Sequence, residues 1–333
     1  MKKDDTIVLD INLRPSTLQE YIGQGKVKRS LQLFVDAVSK RGVVAEHLLF
    51  YGPPGMGKTT LSHIIARELK GELKTTSGPA IAKTGDLAAI LTNLKDNDVL
   101  FIDEIHRLPK AVEEALYPVM EDFSLDIIIG KGPSARTMRL PIPKITIVGA
   151  TTRLALLSAP LRDRFGMTLR LDYYTDEEMA QIVLRSAKLY AIPLSPEIAA
   201  LIAKRARRTP RLANRILKRA RDLYEVKKLK EITPQVVDDL FSILEIDEIG
   251  LTDGDRKYLL AIIEKFDGGP VGVSTLAHTL SEDIQTIEEY IEPYLMRIGF
   301  LKKTGKGRVV TPKAYSHLNL ASKKQPMEQT RLA

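Results

Sequence analysis

Short apolar runs alternate with amphipathic stretches over the first half of the chain. Four runs have the length and composition of buried strands, and they lie at Leu48–Tyr51, Val99–Ile102, Ile145–Val148 and Met167–Leu171. Stretches of helical periodicity such as Leu61–Leu69 separate them, so each strand needs a crossover to reach the next. We therefore predict an α/β fold in which a parallel sheet is covered by helices on both faces.

The pattern changes at Thr175, after which the apolar positions follow helical spacing alone. Thr175 and Glu178 have the spacing of a capping box. Ser195, Thr209 and Thr233 each place a hydroxyl before a proline, which is the expected N-cap followed by the first helical residue. Four helix starts so close together predict a small all-α domain.

The third part of the chain begins after Gly250 and has a different pattern. Helical stretches near 252–266, 274–281 and 283–298 precede a short hairpin with a basic, glycine-containing tip. Three helices followed by such a hairpin are typical of a winged helix-turn-helix. The last residues are polar, contain a proline and are predicted to be disordered. The expected domains are a large α/β domain, a small helical domain, a winged helix and a tail, at 1–174, 175–247, 248–321 and 322–333.

The first chemical motif is Gly52–Thr59, which reads G-x-x-x-x-G-K-[ST] between a predicted strand and a predicted helix. Its glycines allow backbone N–H groups to converge on phosphates, and the following helix directs its positive end at them. Lys58 adds a charge, and the Thr59 hydroxyl can bind Mg²⁺. An accidental match in a glycine-rich turn is the alternative, but the strand and helix context favours a nucleotide site.

The second motif is a buried strand that ends in two carboxylates, Asp103 and Glu104. Asp103 can complete the Mg²⁺ shell, and Glu104 can orient and deprotonate a water that attacks the γ-phosphate. The alternative is a helix N-cap with a solvated neighbour. Together with the phosphate loop, the pair predicts ATP hydrolysis with ATP, ADP and Mg²⁺ as ligands.

Composition narrows the possible classes of function. The 333 residues include 50 Lys+Arg against 42 Asp+Glu, a formal charge of +8 that suits a polyanionic partner but also fits a soluble basic protein. The chain contains no cysteine, which excludes disulfides, zinc–cysteine sites and thiol chemistry. We find neither a signal-peptide pattern nor a long uncharged apolar stretch, so a cytoplasmic protein without a membrane partner is expected.

The paired motifs resemble those of AAA+ ATPases, and further segments are similar to the RuvB branch-migration family within them. Gly149–Arg153 looks like the first sensor, Pro160–Gly166 like the arginine-finger segment, and Thr209–Arg215 like the second sensor. Arg14–Pro15 with Tyr21–Gln24 is similar to the family's nucleotide-edge segment. The resemblance implies an AAA+ P-loop ATPase fold with a small all-α lid domain and a C-terminal winged helix.

By this resemblance the catalytic residues are Lys58, Asp103, Glu104, Thr152, Arg164 and Arg211. Arg164 would act on the nucleotide of a neighbouring subunit, and the family's ring is a homo-hexamer. The Mg²⁺ ligands would be Thr59 and Asp103. The nucleotide contacts implied are Leu13, Arg14, Tyr21, Ile22, Gly52, Gly55, Met56, Gly57, Lys58, Thr59, Thr60, Glu121, Asp122, Phe123, Arg164, Tyr174, Pro210 and Arg211. Arg208 stands where the family usually has glycine.

A hairpin-like insertion spans Asp126–Arg139 and contains three successive isoleucines, Ile127, Ile128 and Ile129. Because side chains alternate across a strand, a two-stranded hairpin cannot bury all three by itself. In the RuvB family this hairpin docks the junction-binding partner RuvA, so the resemblance implies a protein contact here. Packing of the hairpin on its own domain is the alternative.

The wing, Lys302–Arg308, carries four cations beside two glycines, which suits contact with DNA phosphates. A charged tip that serves solubility is the alternative. The resemblance implies DNA contacts by Lys303, where the family usually has arginine, and by Arg308. No combination of residues suited to reading bases is evident, which is consistent with tracking a DNA backbone of any sequence.

The resemblance implies an ATP-driven motor that moves duplex DNA and drives branch migration of four-way junctions in recombination and repair. It also implies a RuvA-like partner and a RuvC-like resolvase in the same complex. An origin-initiator-like DNA-loading switch is the alternative, because it would join the same ATPase core to a winged helix. A protein unfoldase would need an aromatic pore residue, and none is found in Ser77–Gly85.

Overall fold

A computed structural model describes residues 13–129 and 136–321 of the protein. The predicted disordered tail, 322–333, lies outside the described residues. Two compact units are present, Met1–Ile232 and Thr233–Ala333. The first contains the sheet and most of the helical region that follows it, and the second contains the winged helix. This division falls inside the predicted helical domain, 175–247, whose boundaries stay a prediction.

The sheet of the first unit has five parallel strands in the order β2-β3-β6-β1-β7. The α/β prediction is therefore confirmed, and the four predicted strands correspond to β1, β3, β6 and β7. The strands are β1 (Leu48–Tyr51), β2 (Leu73–Ser77), β3 (Val99–Asp103), β6 (Thr146–Thr151) and β7 (Met167–Arg170). β2 is an edge strand with an exposed, polar sequence, and therefore lacks the apolar signal of the others.

Strand order decides which motifs can meet. β6 lies between β1 and β3. Val148 of β6 pairs with Leu48 of β1 on one side and with Phe101 of β3 on the other. The carboxyl ends of these three parallel strands therefore share one edge of the sheet, where α/β folds place their ligands. Buried residues such as Leu49, Leu100 and Ile147 belong to one apolar core and hold the strands in place.

One helix of the first unit precedes β1, and four others follow strands of the sheet. They are α1 (Gly25–Arg41), α2 (Lys58–Glu68), α3 (Thr84–Leu91), α4 (Lys110–Asp122) and α5 (Ala159–Arg162). Short 3₁₀ turns at Gly78–Ala80, Ile105–Arg107 and Leu154–Leu156 follow β2, β3 and β6. Leu87 of α3 and Leu116 of α4 are fully buried in the same core as the sheet residues, so these helices pack on the sheet.

The insertion forms an antiparallel hairpin of β4 (Ser124–Ile129) and β5 (Arg136–Pro141), in which Ile127 pairs with Met138. Ile127 is half-buried and packs against the core of its own domain, as Leu140 does. The packing of Ile127 agrees with the alternative, and a partner contact by the hairpin stays a prediction. The side chains of Ile128 and Ile129 lie outside the described residues.

The helical region of the first unit contains α6 (Asp176–Leu189), α7 (Pro196–Arg205) and α8 (Pro210–Val226). The capping box of Thr175 and Glu178 is confirmed, as is the Ser195 cap. Thr209 is the N-cap residue of α8 with Pro210 after it, as predicted, but its hydroxyl caps no N–H of the helix and donates to the Arg207 carbonyl at 3.1 Å instead. Arg207 and Arg208 both adopt positive φ, at 53° and 56°, and this turn brings the carbonyl to the hydroxyl.

The second unit is built from helices and one hairpin, which confirms the predicted winged helix. Thr233 caps its first helix through the N–H of Val236, as expected. Its elements are α9 (Pro234–Ile243), α10 (Asp253–Lys265), α11 (Val273–Leu280), α12 (Ile284–Thr286), a π-helical turn (Ile287–Ile291), α13 (Glu292–Arg297), β8 (Leu301–Thr304), β9 (Gly307–Val310) and α14 (Pro312–His317). Within the described parts of both units, every helix is too short or too polar to cross a membrane.

Candidate nucleotide site and candidate DNA interface

A cavity of about 490 Å³ opens at the carboxyl edge of the sheet in the first unit. It is bordered by the start of the described chain, the phosphate loop, the ends of β3 and β6, and helices α6 and α8. Fifteen of the predicted site residues line it: Leu13, Arg14, Tyr21, Ile22, Gly55, Gly57, Lys58, Thr59, Thr60, Asp103, Glu104, Thr152, Tyr174, Pro210 and Arg211. Residues from distant parts of the sequence therefore meet at one cavity, as the motifs predict.

The phosphate loop leads directly into α2, whose first residue is Lys58. Gly57 precedes it with φ 97°, a left-handed conformation that L side chains rarely adopt. Gly55 also has positive φ, at 78°, and a Cβ there would lie 2.7 Å from the Thr209 side chain. Glycine is thus required at both positions, and the unpaired N–H groups of the first turn of α2 are left at the loop to receive an anion.

Lys58 is held within its own loop. Its ammonium donates to the carbonyl oxygens of Gly52 and Pro53, both at 2.9 Å, and the residue is 8% exposed. Burial lowers the pKa of Lys58 to about 8; the Asp103 carboxylate opposes this shift and the Arg211 charge adds to it. Gly52 therefore takes part through its carbonyl and is not among the residues that line the cavity.

The two carboxylates at the end of β3 have different settings. Asp103 accepts the backbone N–H of Glu104 at 2.9 Å, which fixes the orientation of its carboxylate. Glu104 has a left-handed backbone, φ 47°, and forms an exposed ion pair with Arg107 at 3.0 Å. A non-glycine residue in this conformation stores about 1–3 kcal/mol of strain, which is common at functional sites. The turn directs both residues to the cavity.

Two successive threonines at the end of β6, Thr151 and Thr152, have different environments. Thr151 is buried, and its hydroxyl lies 2.9 Å from His106 Nδ1 and accepts the N–H of Arg153 at the same distance. Thr152 is exposed and lines the cavity. The residue that the first-sensor motif indicates, Thr152, thus reaches the cavity one position after the buried strand ends.

Two buried tyrosines brace the phosphate loop. The hydroxyls of Tyr21 and Tyr174 are 2.7 Å apart, and each lies 3.1 Å from the carbonyl oxygen of Met56. Burial raises the pKa of Tyr174 to about 12, so both rings stay neutral donors at physiological pH. Met56 is fully buried, and it supports the cavity from behind rather than lining it.

Arg211 lies in the first turn of α8 and faces the cavity beside Lys58. A cation in the first turn is unfavourable to the helix dipole, so an anionic ligand would relieve an existing repulsion. Arg208, in the preceding left-handed turn, forms an exposed ion pair with Asp176 at 3.1 Å. The glycine that the family usually has there suits the observed φ of 56°.

Several cavity residues are not predicted from the sequence. Arg185 lines the wall from α6, donates to the Leu13 carbonyl at 2.6 Å and forms an ion pair with Glu20 at 3.6 Å. Ser186 donates to Asn214 Oδ1 at 2.8 Å and joins α6 to α8. These residues belong to no local sequence motif. The one signal that could have identified them is their position on the faces of α6 and α8 that are turned to the cavity.

Besides Gly52 and Met56, four predicted nucleotide contacts are not among the residues that line this cavity: Glu121, Asp122, Phe123 and Arg164. Glu121, Asp122 and Phe123 lie at the end of α4, and Arg164 follows α5. Arg164 forms an ion pair with Glu121 at 3.1 Å. Asp122 forms an exposed ion pair with Arg139 of the hairpin at 3.4 Å. Their contact with a nucleotide stays a prediction, and for Arg164 the expected nucleotide is that of a neighbouring subunit.

The cavity can accommodate Mg²⁺ at the predicted position. Thr59 and Asp103 both line it, and hard oxygen donors such as theirs are what Mg²⁺ prefers. The described residues contain no cluster of three or more carboxylates, imidazoles or thiols suited to a metal.

The wing presents some of its cations and buries another. Lys302, Lys303 and Lys306 are exposed, and Lys303 pairs with Glu288 at 3.2 Å. Arg308 is only 6% exposed, and the phosphate contact expected of this side chain stays a prediction. Its guanidinium is already occupied, because it contacts Glu292 at 2.7 Å and Glu288 at 2.8 Å.

Arg308 belongs to a buried polar network. Glu292, 1% exposed, also accepts the Tyr258 hydroxyl at 2.7 Å. Hydrogen bonding to Glu292 raises the pKa of Arg308, and the hydrogen bonds of Lys303 and Arg308 lower the pKa of Glu288. The network ties β9 to α13 and α10, so its first function is to fix the wing on its helices.

We predict that Arg308→Ala destabilises the second unit by about 3–5 kcal/mol, because the buried Glu292 loses its cation. Amide hydrogen exchange in α10 measures this as a drop in the free energy of opening. Lys303→Ala is the matched control, and the exposed lysine should change that energy by less than about 0.5 kcal/mol. Equal protection in the Arg308→Ala protein and the unsubstituted chain would contradict the assignment.

Comparison with known proteins places this geometry in a family. Three family models match in sequence: the Holliday junction DNA helicase RuvB P-loop domain at 13–171, the RuvB AAA lid domain at 174–247 and the RuvB C-terminal winged helix domain at 248–319. Similar proteins include the Holliday junction branch migration complex subunits RuvB of Chloroflexus aurantiacus and Chloroflexus aggregans, each 56% identical. The C. aurantiacus match extends over 93% of this chain and 88% of the relative.

A solved structure agrees with these matches. The Thermotoga maritima RuvB Holliday junction branch migration motor is 48% identical, with a TM-score of 0.84, and the match covers 95% of this chain and 100% of that one. The family models together extend over the sheet, the helical region and the winged helix described above. The chain therefore belongs to the RuvB family of AAA+ P-loop ATPases.

Proposed function

We propose that this chain hydrolyses ATP between neighbouring subunits of a ring and uses the energy to move duplex DNA through a four-way junction. The observation that carries the proposal is the single cavity that combines the phosphate loop with Asp103, Glu104 and Thr152. Those groups are what phosphoryl transfer to water needs: a phosphate cradle, a metal ligand, a base and a sensor. Membership of the RuvB family supplies the junction as the substrate.

The roles follow from position. Lys58 and the N-terminus of α2 hold the phosphates, and Arg211 adds a positive charge from α8. Glu104 orients and deprotonates the attacking water, since its carboxylate reaches the cavity from a fixed turn. Thr152 contacts the γ-phosphate from the end of β6. When bound at Thr59 and Asp103, Mg²⁺ would neutralise charge on the phosphate oxygens.

The catalytic arginine comes from a second copy of the chain. Arg164 is outside the cavity of its own subunit, together with Glu121, Asp122 and Phe123. A neighbouring copy can present this surface to the nucleotide, where a guanidinium stabilises the charge of the transition state. We propose a closed ring, which is a homo-hexamer as in the family, and Arg211 couples the phosphates to the angle of the helical domain.

The winged helix supplies the DNA contact. Lys302, Lys303 and Lys306 are exposed at the hairpin and can neutralise phosphates of any sequence. We propose a RuvA-like junction-binding protein as the partner of the insertion hairpin, through the run Ile127, Ile128 and Ile129. A RuvC-like resolvase in the same complex and a cytoplasmic location complete the proposal.

The test of this function is ATP-dependent dissolution of a synthetic mobile four-way junction, with and without the cognate RuvA-like protein. We expect dissolution with ATP, faster when the partner is present, and none with a non-hydrolysable analogue. A junction with heterologous arms, which cannot migrate, is the control. A protein that hydrolyses ATP on DNA but leaves the mobile junction intact would instead be a loading switch of the origin-initiator type.

ATP affinity should depend on pH through Lys58. Below pH about 8 its ammonium is already charged, and above it the binding of phosphates must take up a proton. Affinity is therefore expected to fall about 2-fold from pH 7 to 8 and about 10-fold from pH 7 to 9, as measured by titration calorimetry. Lys58→Arg is the control, since a guanidinium stays charged throughout and should give a flat profile. The same fall in the Lys58→Arg protein would contradict this account.

A further inference from the structure

Arg164 rests on the face of an aromatic ring that the ATPase motifs do not include. The central guanidinium carbon lies 4.1 Å from the ring centroid of Tyr117, which belongs to α4. We propose that Tyr117 is a positioning residue that holds Arg164 ready for the nucleotide of the neighbouring subunit. This inference rests on the proposed hydrolysis between subunits.

The type of contact matters for a catalytic arginine. An aromatic face attracts the guanidinium through its π electrons and uses none of its N–H donors. The other two contacts of Arg164 each use one donor: one Nη donates to the Pro160 carbonyl at 2.7 Å, and the other pairs with Glu121 at 3.1 Å. The Tyr117 contact alone can persist while all the donors turn to phosphate oxygens.

The Glu121 pair is suited to exchange. The Glu121 side chain is 56% exposed, and ion pairs of exposed groups are weak and easily replaced by a stronger anion. The Nε of Arg164 is buried and has no acceptor among the described residues. In the single subunit the guanidinium therefore has one N–H without an acceptor in the described part of the chain. A phosphate can replace Glu121 while the Tyr117 ring holds the guanidinium plane in place.

Tyr117 is itself held from two sides. Its hydroxyl donates to Glu113 Oε1 at 2.9 Å, and the Ser158 hydroxyl bonds to the same oxygen. Ser158 is the N-cap of α5 and accepts the N–H of Leu161 at 3.3 Å. Hydrogen bonds thus link the Tyr117 ring, through Glu113 and Ser158, to the short helix that immediately precedes Arg164.

The test separates the two subunits that build each active site. A donor chain carries Glu104→Gln and keeps Arg164, and an acceptor chain carries Arg164→Ala and keeps Glu104. Neither chain alone should hydrolyse ATP efficiently, but mixed rings contain acceptor sites that a donor arginine completes. Recovery of hydrolysis on mixing tests the proposed function by itself, and an absence of recovery would overturn that proposal before Tyr117 is considered.

Tyr117→Leu is then introduced into one chain at a time. In the donor chain it should lower kcat of the mixture about 10-fold or more with KM for ATP unchanged, because the arginine is misplaced and the nucleotide pocket is intact. In the acceptor chain, which has no Arg164 to position, it should have little effect. Tyr117→Phe in the donor keeps the ring face and should retain most of the rate.

Two results would overturn the inference. The first is an equal loss from Tyr117→Leu in donor and acceptor, which would indicate a general structural role. The second is an unchanged kcat with the substitution in the donor. Calorimetry of ATP binding verifies that the Tyr117→Leu donor chain is folded. Analytical ultracentrifugation verifies that it is incorporated into rings.

Discussion

Replacement of Arg164 by alanine is expected to lower kcat of ATP hydrolysis about 10³-fold or more, with nucleotide affinity nearly unchanged. The magnitude is that of an arginine finger, which neutralises charge that develops only in the transition state. Affinity is spared because Arg164 does not line the cavity of its own chain. Steady-state phosphate release and nucleotide titration measure the two quantities on the assembled protein.

Arg162→Ala is the matched control for this substitution. Arg162 ends α5, two residues earlier, and is exposed. It should lose little activity, since a solvated arginine has no transition-state charge to stabilise. A comparable loss in both proteins would contradict the assignment of Arg164, and so would an Arg164→Ala protein that hydrolyses ATP at the unsubstituted rate.

Glu104→Gln is expected to lower kcat by about 10²–10⁴-fold while ATP still binds, because the amide keeps the shape but cannot accept the proton of the attacking water. The left-handed turn at Glu104 tolerates the similar glutamine, so the fold should be preserved. Single-turnover hydrolysis separates the chemical step from product release. Glu114→Gln, on the exposed side of α4, is the control and should be neutral. Undiminished phosphate release by the Glu104→Gln protein would remove the base from the mechanism.

Local pattern was sufficient to predict much of the fold. Four sheet strands and the caps at Thr175, Ser195 and Thr233 follow from periodicity and N-cap chemistry. Thr209 has the same sequence signal as these caps and behaves differently, because two left-handed residues before it redirect its hydroxyl to a carbonyl. A cap motif specifies which bond is available, while the preceding turn decides which bond forms.

The composition of the cavity was predictable where a motif spans consecutive residues, as in the phosphate loop and at Asp103 and Glu104. Arg185 and Glu20 were not predicted, because they reach the cavity only when α6 packs against the start of the described chain. The buried position of Arg308 was also not predicted from the sequence. In sequence it is one of several wing cations, and only the folded hairpin brings it to the buried Glu292.

The position of the Ile127 side chain could not be predicted from the sequence. Three consecutive isoleucines predict that at least one face needs a cover, and the core of the same domain supplies it for Ile127. Which face turns inward depends on the register of β4 with β5, with Ile127 opposite Met138. That register is set by the tertiary structure and cannot be read from the run of isoleucines.

The rate of ATP hydrolysis per chain, measured against protein concentration while analytical ultracentrifugation reports assembly, tests most directly whether two subunits complete each active site. We predict that turnover per chain is near zero for monomers and rises in parallel with ring formation. Full turnover by chains that remain monomeric would contradict hydrolysis in trans, because one polypeptide would then supply every catalytic group.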